Sequence, residues 1–348
     1  MQIKKVAMFT DIHFGKHGNS DIHNQDCVDF IKWFIEDIKS KNITHIVFMG
    51  DWFENRSAIN ISTLDYSCDA LSLLNKVGLP ILFCVGNHDL YKRNSRDIHS
   101  ARIFETYSNI TVIDNIKVID NCLFSPYLFH SEYTQLANYV NCRAWFGHFE
   151  FQGFYLTGYN TKLEHGPSHT HFKQVKKIFS GHFHKRQAAD NVCYIGNTFP
   201  MDFGDLNDSE RGYATYDLEN DCVEFYDWNN APSYNKIKIS EILDGKWIPK
   251  EKTKVKCLID MPLEYTEIQE LRVSLIEQFN IRDFIIDQDV TTIDDLNDIE
   301  ISDSDIGSID ELIVKQLTSI QDHVKDDIDA KLLVELYSGL KIETDGNE

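Results

Sequence analysis

The sequence predicts an α/β protein built from layered sheets, and three observations carry that expectation. Near the amino end, short apolar runs alternate with helical patterns in the order β-α-β-α-β, which packs helices against parallel neighbours. From about residue 111 the runs become short and frequent, with few helices between them, so a second, more antiparallel sheet is expected. Residues 236–285 then repeat a strand–helix–strand pattern on a smaller scale.

Taken in order, Val6–Thr10 is the first strand. Cys27–Asn42 is a helix, because Val28, Ile31, Ile35 and Ile38 share one face. His45–Met49 is the second strand. Ser62–Val77 is a second amphipathic helix, with Ser62 or Thr63 as N-cap and Gly78 as C-cap. Pro80–Val85 is the third strand. The second sheet is expected from TVIDN, KVIDNCLF, RAWFG, KIFSG, VCYIG, GYATYDL and CVEFYDW. In the small unit, strands near Lys254–Ile259 and Phe284–Asp287 flank a helix at Tyr265–Phe279. Residues 283–310 hold ten acids and no Lys or Arg, a composition that buries no core and reads as a linker. Ser308–Thr318 and Asp327–Leu340 are then two short amphipathic helices. The chain divides accordingly into a body (1–235), a small α/β cap (236–285), an acidic linker (286–307) and a helical hairpin (308–348).

Composition narrows the function. The 348 residues are 42% hydrophobic and 26% charged, enough for a sizeable core. The net charge of −21 excludes a generically basic nucleic-acid binder, but not an enzyme with local contacts. Residues 281–348 carry −14 of that charge and residues 1–280 only −7. The eight cysteines form no CxxC pair, and several sit in apolar runs, as buried reduced thiols do. The opening MQIKKVAMFTD is too short for a signal core, and no apolar run approaches a membrane span. An intracellular, cytoplasmic protein with no membrane partner is expected.

The chemistry sits where strands end. Five apolar runs each close on metal-ligand types: Asp11 and His13; Gly50-Asp51; Gly86-Asn87-His88-Asp89; Gly147-His148; and Gly181-His182-Phe183-His184. Ligands at i and i+2 on an extended segment point the same way, and Gly before the polar group permits a sharp turn. Three Asp, one Asn and five His without thiolate suit Mn²⁺, Fe or Zn²⁺ more than Ca²⁺. That is more than one ion needs. Two ions about 3.5–4 Å apart, bridged by one Asp, would polarise a phosphate and generate a hydroxide for in-line attack.

These five motifs resemble the calcineurin-like metallophosphoesterase set. Within that superfamily the chain is most similar to the SbcD-type DNA double-strand-break repair nucleases, and closest to their phage small-subunit members. GDWFENR at 50–56, GHFEFQGFY at 147–155, SGHFH at 180–184 and YIGNTFP at 194–200 support this. The resemblance implies a two-sheet metallophosphoesterase sandwich flanked by helices, with a small α/β capping domain and a C-terminal helical hairpin. It also implies two divalent ions, manganese first and magnesium as the alternative. Asp11, His13 and His184 would hold one ion, Asn87, His148 and His182 the other, and Asp51 would bridge. His88 would donate a proton to the leaving 3′-oxygen, with Asp89 orienting its imidazole. Relatives often place a His three residues after the bridging Asp. This chain has Glu54 there.

Lys16, Lys92, Arg93, Arg96, Lys185 and Arg186 lie beside the motifs and are candidate phosphate contacts. The resemblance further implies DNA ends and single strands as substrates. It implies an SMC-like, ABC-type ATPase docked on the C-terminal helices, and a homodimer through the Ser57–Asp97 region. The expected function is thus the catalytic subunit of an ATP-dependent complex that processes double-strand breaks, an Mn-dependent DNA exonuclease and endonuclease. Two other readings stand beside it: a phosphoesterase of the same fold acting on a non-DNA ester, and a degenerate scaffold without activity.

Overall fold

The computed structural model describes residues 2–156, 161–206, 208 and 210–287; the expected linker and helical hairpin beyond residue 287 lie outside these described residues. Strands β1 (Lys5–Phe9), β2 (His45–Phe48) and β3 (Ile81–Cys84) run parallel, with Val6 opposite His45 and Ile46 opposite Ile81. Helices Asp21–Ile38 and Ile61–Val77 connect them. The first helix begins before the expected Cys27 because the Ser20 side chain caps it, accepting from His23 N–H. The second is capped by Asn60, not by Ser62 or Thr63. Thr63 is buried instead and bonds Asn24 and Asn19. Gly78 ends that helix in the left-handed region, at φ 73°.

After the hairpin β4 (Leu90–Lys92) and β5 (Ser95–His99), strand β6 (Ile110–Ile113) joins β3 in parallel. A second sheet holds β7 (Lys117–Ile119), β8 (Cys122–Ser125), β9 (Trp145–Gly147), β10 (Ile178–Ser180), β11 (Gln187–Ala189) and β12 (Val192–Tyr194), in the order β11-β12-β10-β9-β8-β7. It is less antiparallel than expected. Its three inner pairs are parallel, and only the two outer pairs are antiparallel. The chain returns to start β9 and β10 through irregular segments containing 3₁₀ turns at His130–Tyr139 and His169–Phe172, which carry no helical periodicity to betray a crossover. Two further strands, β13 (Gly212–Asp217) and β14 (Cys222–Asp227), leave this sheet altogether. They complete the first sheet in the order β14-β13-β1-β2-β3-β6, β13 running antiparallel to β1.

The two sheets face each other across one core. Val6, Met8, Val47, Leu82 and Cys84 from the first sheet meet Phe124, Phe146 and Phe179 from the second. Those three rings stack across neighbouring strands, with centroids 5.2 and 5.5 Å apart. The opposite face of the first sheet buries Ala7, Phe9, Ile46 and Phe48 against Phe30, Phe34, Leu71 and Leu74 of the helices. Because β1 to β3 are covered on both sides, they read as unbroken apolar runs rather than alternating ones.

A third sheet contains β15 (Ser233–Lys238), β16 (Thr253–Leu258) and β17 (Asp283–Asp287), all parallel, with helix Tyr265–Phe279 packed on it. Strand β15 runs through position 236, where the sequence divides body from cap. The sheet is tied to the body by Arg282, which grips the buried carboxylate of Asp26 at 2.5 and 2.6 Å. Tyr234 adds a hydroxyl bond of 2.5 Å to the Met201 carbonyl. All eight cysteines are free thiols. Among the described residues no helix is long and apolar enough to cross a membrane.

Candidate metal centre

The chain leaves β1, β2, β3, β9 and β10 at their carboxyl ends, and the residues that follow converge. Their convergence does not come from extended backbone. Asp11, His13, Asp51 and His182 all have positive φ, at 51°, 52°, 62° and 87°, a region unusual for residues with a Cβ and typical of functional turns. The candidate ligands at i and i+2 therefore meet through left-handed turns, which corrects the expectation of extended backbone. Among the preceding glycines only Gly50 turns left-handed, at φ 102°. Gly86 and Gly181 are needed for close approach, since a Cβ at either would overlap Asp51 or Thr10.

Backbone bonds lock the first two turns together: Asp11 N–H donates to Gly50 O at 2.9 Å, His13 N–H to Asp51 O at 3.2 Å, and Phe14 N–H to Trp52 O at 2.7 Å. Held this way, His13 Nε2 and His184 Nε2 lie 3.1 Å apart. Asp11 Oδ1 is 3.9 Å from the former and 3.8 Å from the latter. Asn87 Oδ1 lies 2.8 Å from His148 Nε2 and 2.9 Å from His182 Nδ1. Asp51 stands between the two groups, its Oδ2 3.9 Å from His13 Nε2 and 3.4 Å from His148 Nε2.

The second nitrogen of each of three histidines is occupied, which orients its ring. His148 Nδ1 donates to Met49 O at 2.7 Å. His88 Nδ1 donates to the Glu54 carbonyl at 2.8 Å. His13 Nδ1 lies 2.7 Å from Glu54 Oε2, in ion-pair contact but without well-directed hydrogen-bond geometry. Asp89 does not orient His88, contrary to expectation. Its buried carboxylate accepts from the N–H groups of Gly86, Asp51, Trp52 and Phe53 at 2.9–3.4 Å. It pins the β2 and β3 loops to each other.

Electrostatics favour a cation here. Asp11 and Asp51 are buried, and among the described residues only histidines stand in ion-pair range of them. Burial raises the Asp11 pKa, and the neighbouring Asp51 adds to that. Burial also works against ionising Asp51, yet His148 holds its pKa well below the usual carboxylate range. The reciprocal effect outweighs burial at His148 and raises it to about 9. Glu54 is held at about 2, burial being outweighed by His13. Desolvated carboxylates faced by imidazole nitrogens suit divalent ions. Ligands sharing one ion at about 2.1 Å lie about 3 Å apart when adjacent, close to the 3.1 Å between His13 and His184. Asp11–His13–His184 and Asp11–Asp51–His148 each form such a ligand group.

The six candidate phosphate contacts fare unevenly. Arg96 is a structural tie, bonded to Asp114 O, Tyr127 O and both oxygens of Glu132. Arg186 pairs with Asp227 at 2.8 Å. Lys16 lies 3.4 Å from Asp202 and 3.9 Å from Glu54. Lys185 lies over the Tyr155 ring. Lys92 and Arg93 are exposed on the β4–β5 hairpin. Four partners escaped the sequence reading. Glu150 Oε1 is 3.3 Å from His182 Nε2, and Tyr127 donates to Glu150 Oε2 at 3.3 Å. Thr10 Oγ1 donates to Asp11 at 2.6 Å, and the Glu54 carboxylate faces His13. Thr10, Glu54 and Glu150 lie near a motif in sequence, and Glu54 also stands where relatives often carry a His, but neither signal revealed the pairing.

Residues 4–186 match the family model described as calcineurin-like phosphoesterase. Exonuclease subunit 1 of Enterobacteria phage T4 is 30% identical over 241 residues, covering 67% of this chain and 70% of that protein. Among solved structures, a dimetal phosphatase from Danio rerio aligns with 62% of this chain and 92% of its own, at 11% identity and a TM-score of 0.35. The nuclease MPE from Pseudomonas putida aligns with 64% and 87%, at 13% identity and a TM-score of 0.31.

Proposed function

Since the chain belongs to the calcineurin-like phosphoesterase family, we propose that it is a two-metal DNA nuclease, cutting phosphodiester bonds at double-stranded ends and in single strands. The observation that carries this reading is the meeting of Asp11, His13 and His184 with Asn87, His148 and His182 around Asp51. The first three would hold one divalent ion, the second three another, and Asp51 both. The ions, manganese by preference, would supply Lewis-acid polarisation of the phosphate and activation of water. His88 stands beside this group, its ring 5.0 Å from that of His13, with Nδ1 committed to Glu54 O. That leaves Nε2 to give a proton to the leaving oxygen. Glu54 and Glu150 hold the outer nitrogens of His13 and His182.

The similarity to a protein named as an exonuclease subunit supports DNA as substrate and a partner protein in the active assembly. We assign that partner as an SMC-like ATPase reached through residues 308–348, and we assign homodimerisation to the Ser57–Asp97 region. A chain of net charge −21 should hold DNA weakly alone, which gives the partner its use. The test is cleavage of end-labelled duplex DNA with Mn²⁺, with and without the ATPase, beside a phosphomonoester. Cleavage of DNA that the ATPase enhances supports the reading. Turnover of the monoester with intact DNA would instead favour a phosphatase.

A further inference from the structure

Beside His88 the surface opens into a cleft of about 400 Å³ whose lining includes His17, Asn19, Glu54, Arg56 and His88. This volume falls within the roughly 300–1,000 Å³ range of small-ligand sites. One wall is an unusual stretch of backbone, in which Gly15, His17, Gly18 and Asn19 have φ of 91°, 57°, 68° and 65°. A Cβ placed on Gly18 would meet nothing within 4 Å, so this wall faces open space.

Arg56 supplies the charge. Its side chain is half-buried and, among the described residues, has neither a hydrogen-bond nor an ion-pair partner. Three of the cations beside the motifs are instead engaged, Lys16 with Asp202 and Glu54, Arg96 with Glu132, and Arg186 with Asp227. Glu54, the nearest carboxylate in sequence, is turned to His13 and Lys16. A guanidinium partly withdrawn from water and left without a carboxylate is matched to a planar or bidentate anion.

We propose that this cleft receives the nucleotide next to the bond being cut, and that Arg56 grips its phosphate. The inference rests on the nuclease reading and adds to it a binding residue outside both the proposed ligand set and the six candidate phosphate contacts. Arg56→Ala and Arg56→Gln should raise KM for DNA about ten- to hundredfold, the effect of losing a charged hydrogen bond, with a smaller change in kcat. The dependence of log(kcat/KM) on log salt should become shallower by about 0.7–0.9, the contribution of one phosphate contact. Arg56→Lys should keep the salt slope while losing part of the affinity. Fluorescence anisotropy of labelled DNA in EDTA gives the same comparison without turnover. Bis(4-nitrophenyl) phosphate, which has no flanking nucleotide, should be hydrolysed equally by all four proteins.

Unchanged KM and salt slope in Arg56→Ala would overturn the proposal. So would equal losses on DNA and on the small diester, which would place Arg56 on the reacting phosphate itself. A wild-type protein that cleaves the small diester but not DNA removes the nuclease reading and this proposal together. Unchanged variants beside a DNA-cleaving wild type remove the proposal alone.

Discussion

The Glu54 carboxylate reaches His13 with Oε2 2.7 Å from Nδ1, and its own backbone carbonyl accepts from His88 Nδ1 at 2.8 Å. One residue thus sets the ring orientation of both a proposed ligand and the proposed proton donor. Removing only the carboxylate separates these effects. Glu54→Ala should weaken binding of one Mn²⁺ about 10- to 100-fold, as loss of a partner behind a ligating His does. The backbone bond to His88 should persist. Calorimetric titration of Mn²⁺ checks this, and two unchanged binding events would contradict it.

Asp89 ties loops rather than orienting His88, so its substitution should act on folding. Asp89→Ala leaves four backbone N–H groups of a buried region without their acceptor. Each buried orphan costs about 1–3 kcal/mol. A clearly lowered thermal midpoint in metal-free protein is expected. A variant with wild-type stability and lost turnover would point back to a role on the His88 ring.

Asp26 is buried and held by Arg282 at 2.5–2.6 Å, with Lys252 at 3.4 Å. Asp26→Ala strands the guanidinium, and breaking a buried pair from one side costs about 3–5 kcal/mol. Limited proteolysis should then cut within residues 229–287 sooner than elsewhere. Uniform sensitivity along the chain would count against Asp26 as the tie.

His23 is buried, and desolvation lowers its pKa to about 3, although the His13 carbonyl accepts from its Nε2 at 2.9 Å. The unfolded chain, with a His pKa near 6.5, binds this proton more readily than the folded one. Stability from keeping His23 neutral is therefore complete above about pH 6.5 and declines as pH falls toward 3. Between pH 6.5 and 5 the loss should be about 2 kcal/mol. Urea unfolding in EDTA at both pH values measures it. His23→Asn, which cannot titrate, should flatten the difference.

The candidate ligands were legible because each proposed member follows a strongly apolar run, and both the run and the residue type are local signals. How those ligands meet was not legible. Left-handed backbone at Asp11, His13, Asp51 and His182 is uncommon for any residue with a Cβ, although Asp and His adopt it more readily than most, and bonds between neighbouring loops clamp it at the first two turns. Pairings between distant residues were equally hidden. Arg96 looks like any loop cation until Glu132 folds onto it, and Asp89 looks like a partner for its neighbour His88 until four N–H groups claim it. The parallel inner strands of the second sheet escaped for a related reason, since their connections lack the periodicity that announces a crossover.

His88 offers the most direct test of the two-metal nuclease account. Mn²⁺ content and single-turnover cleavage of end-labelled duplex DNA should be measured on the same samples of wild type and His88→Ala. The account predicts two ions per chain in both proteins and a cleavage rate about 10²- to 10⁴-fold lower in the variant. Wild-type cleavage by His88→Ala, or wild-type cleavage with no bound metal, would contradict it.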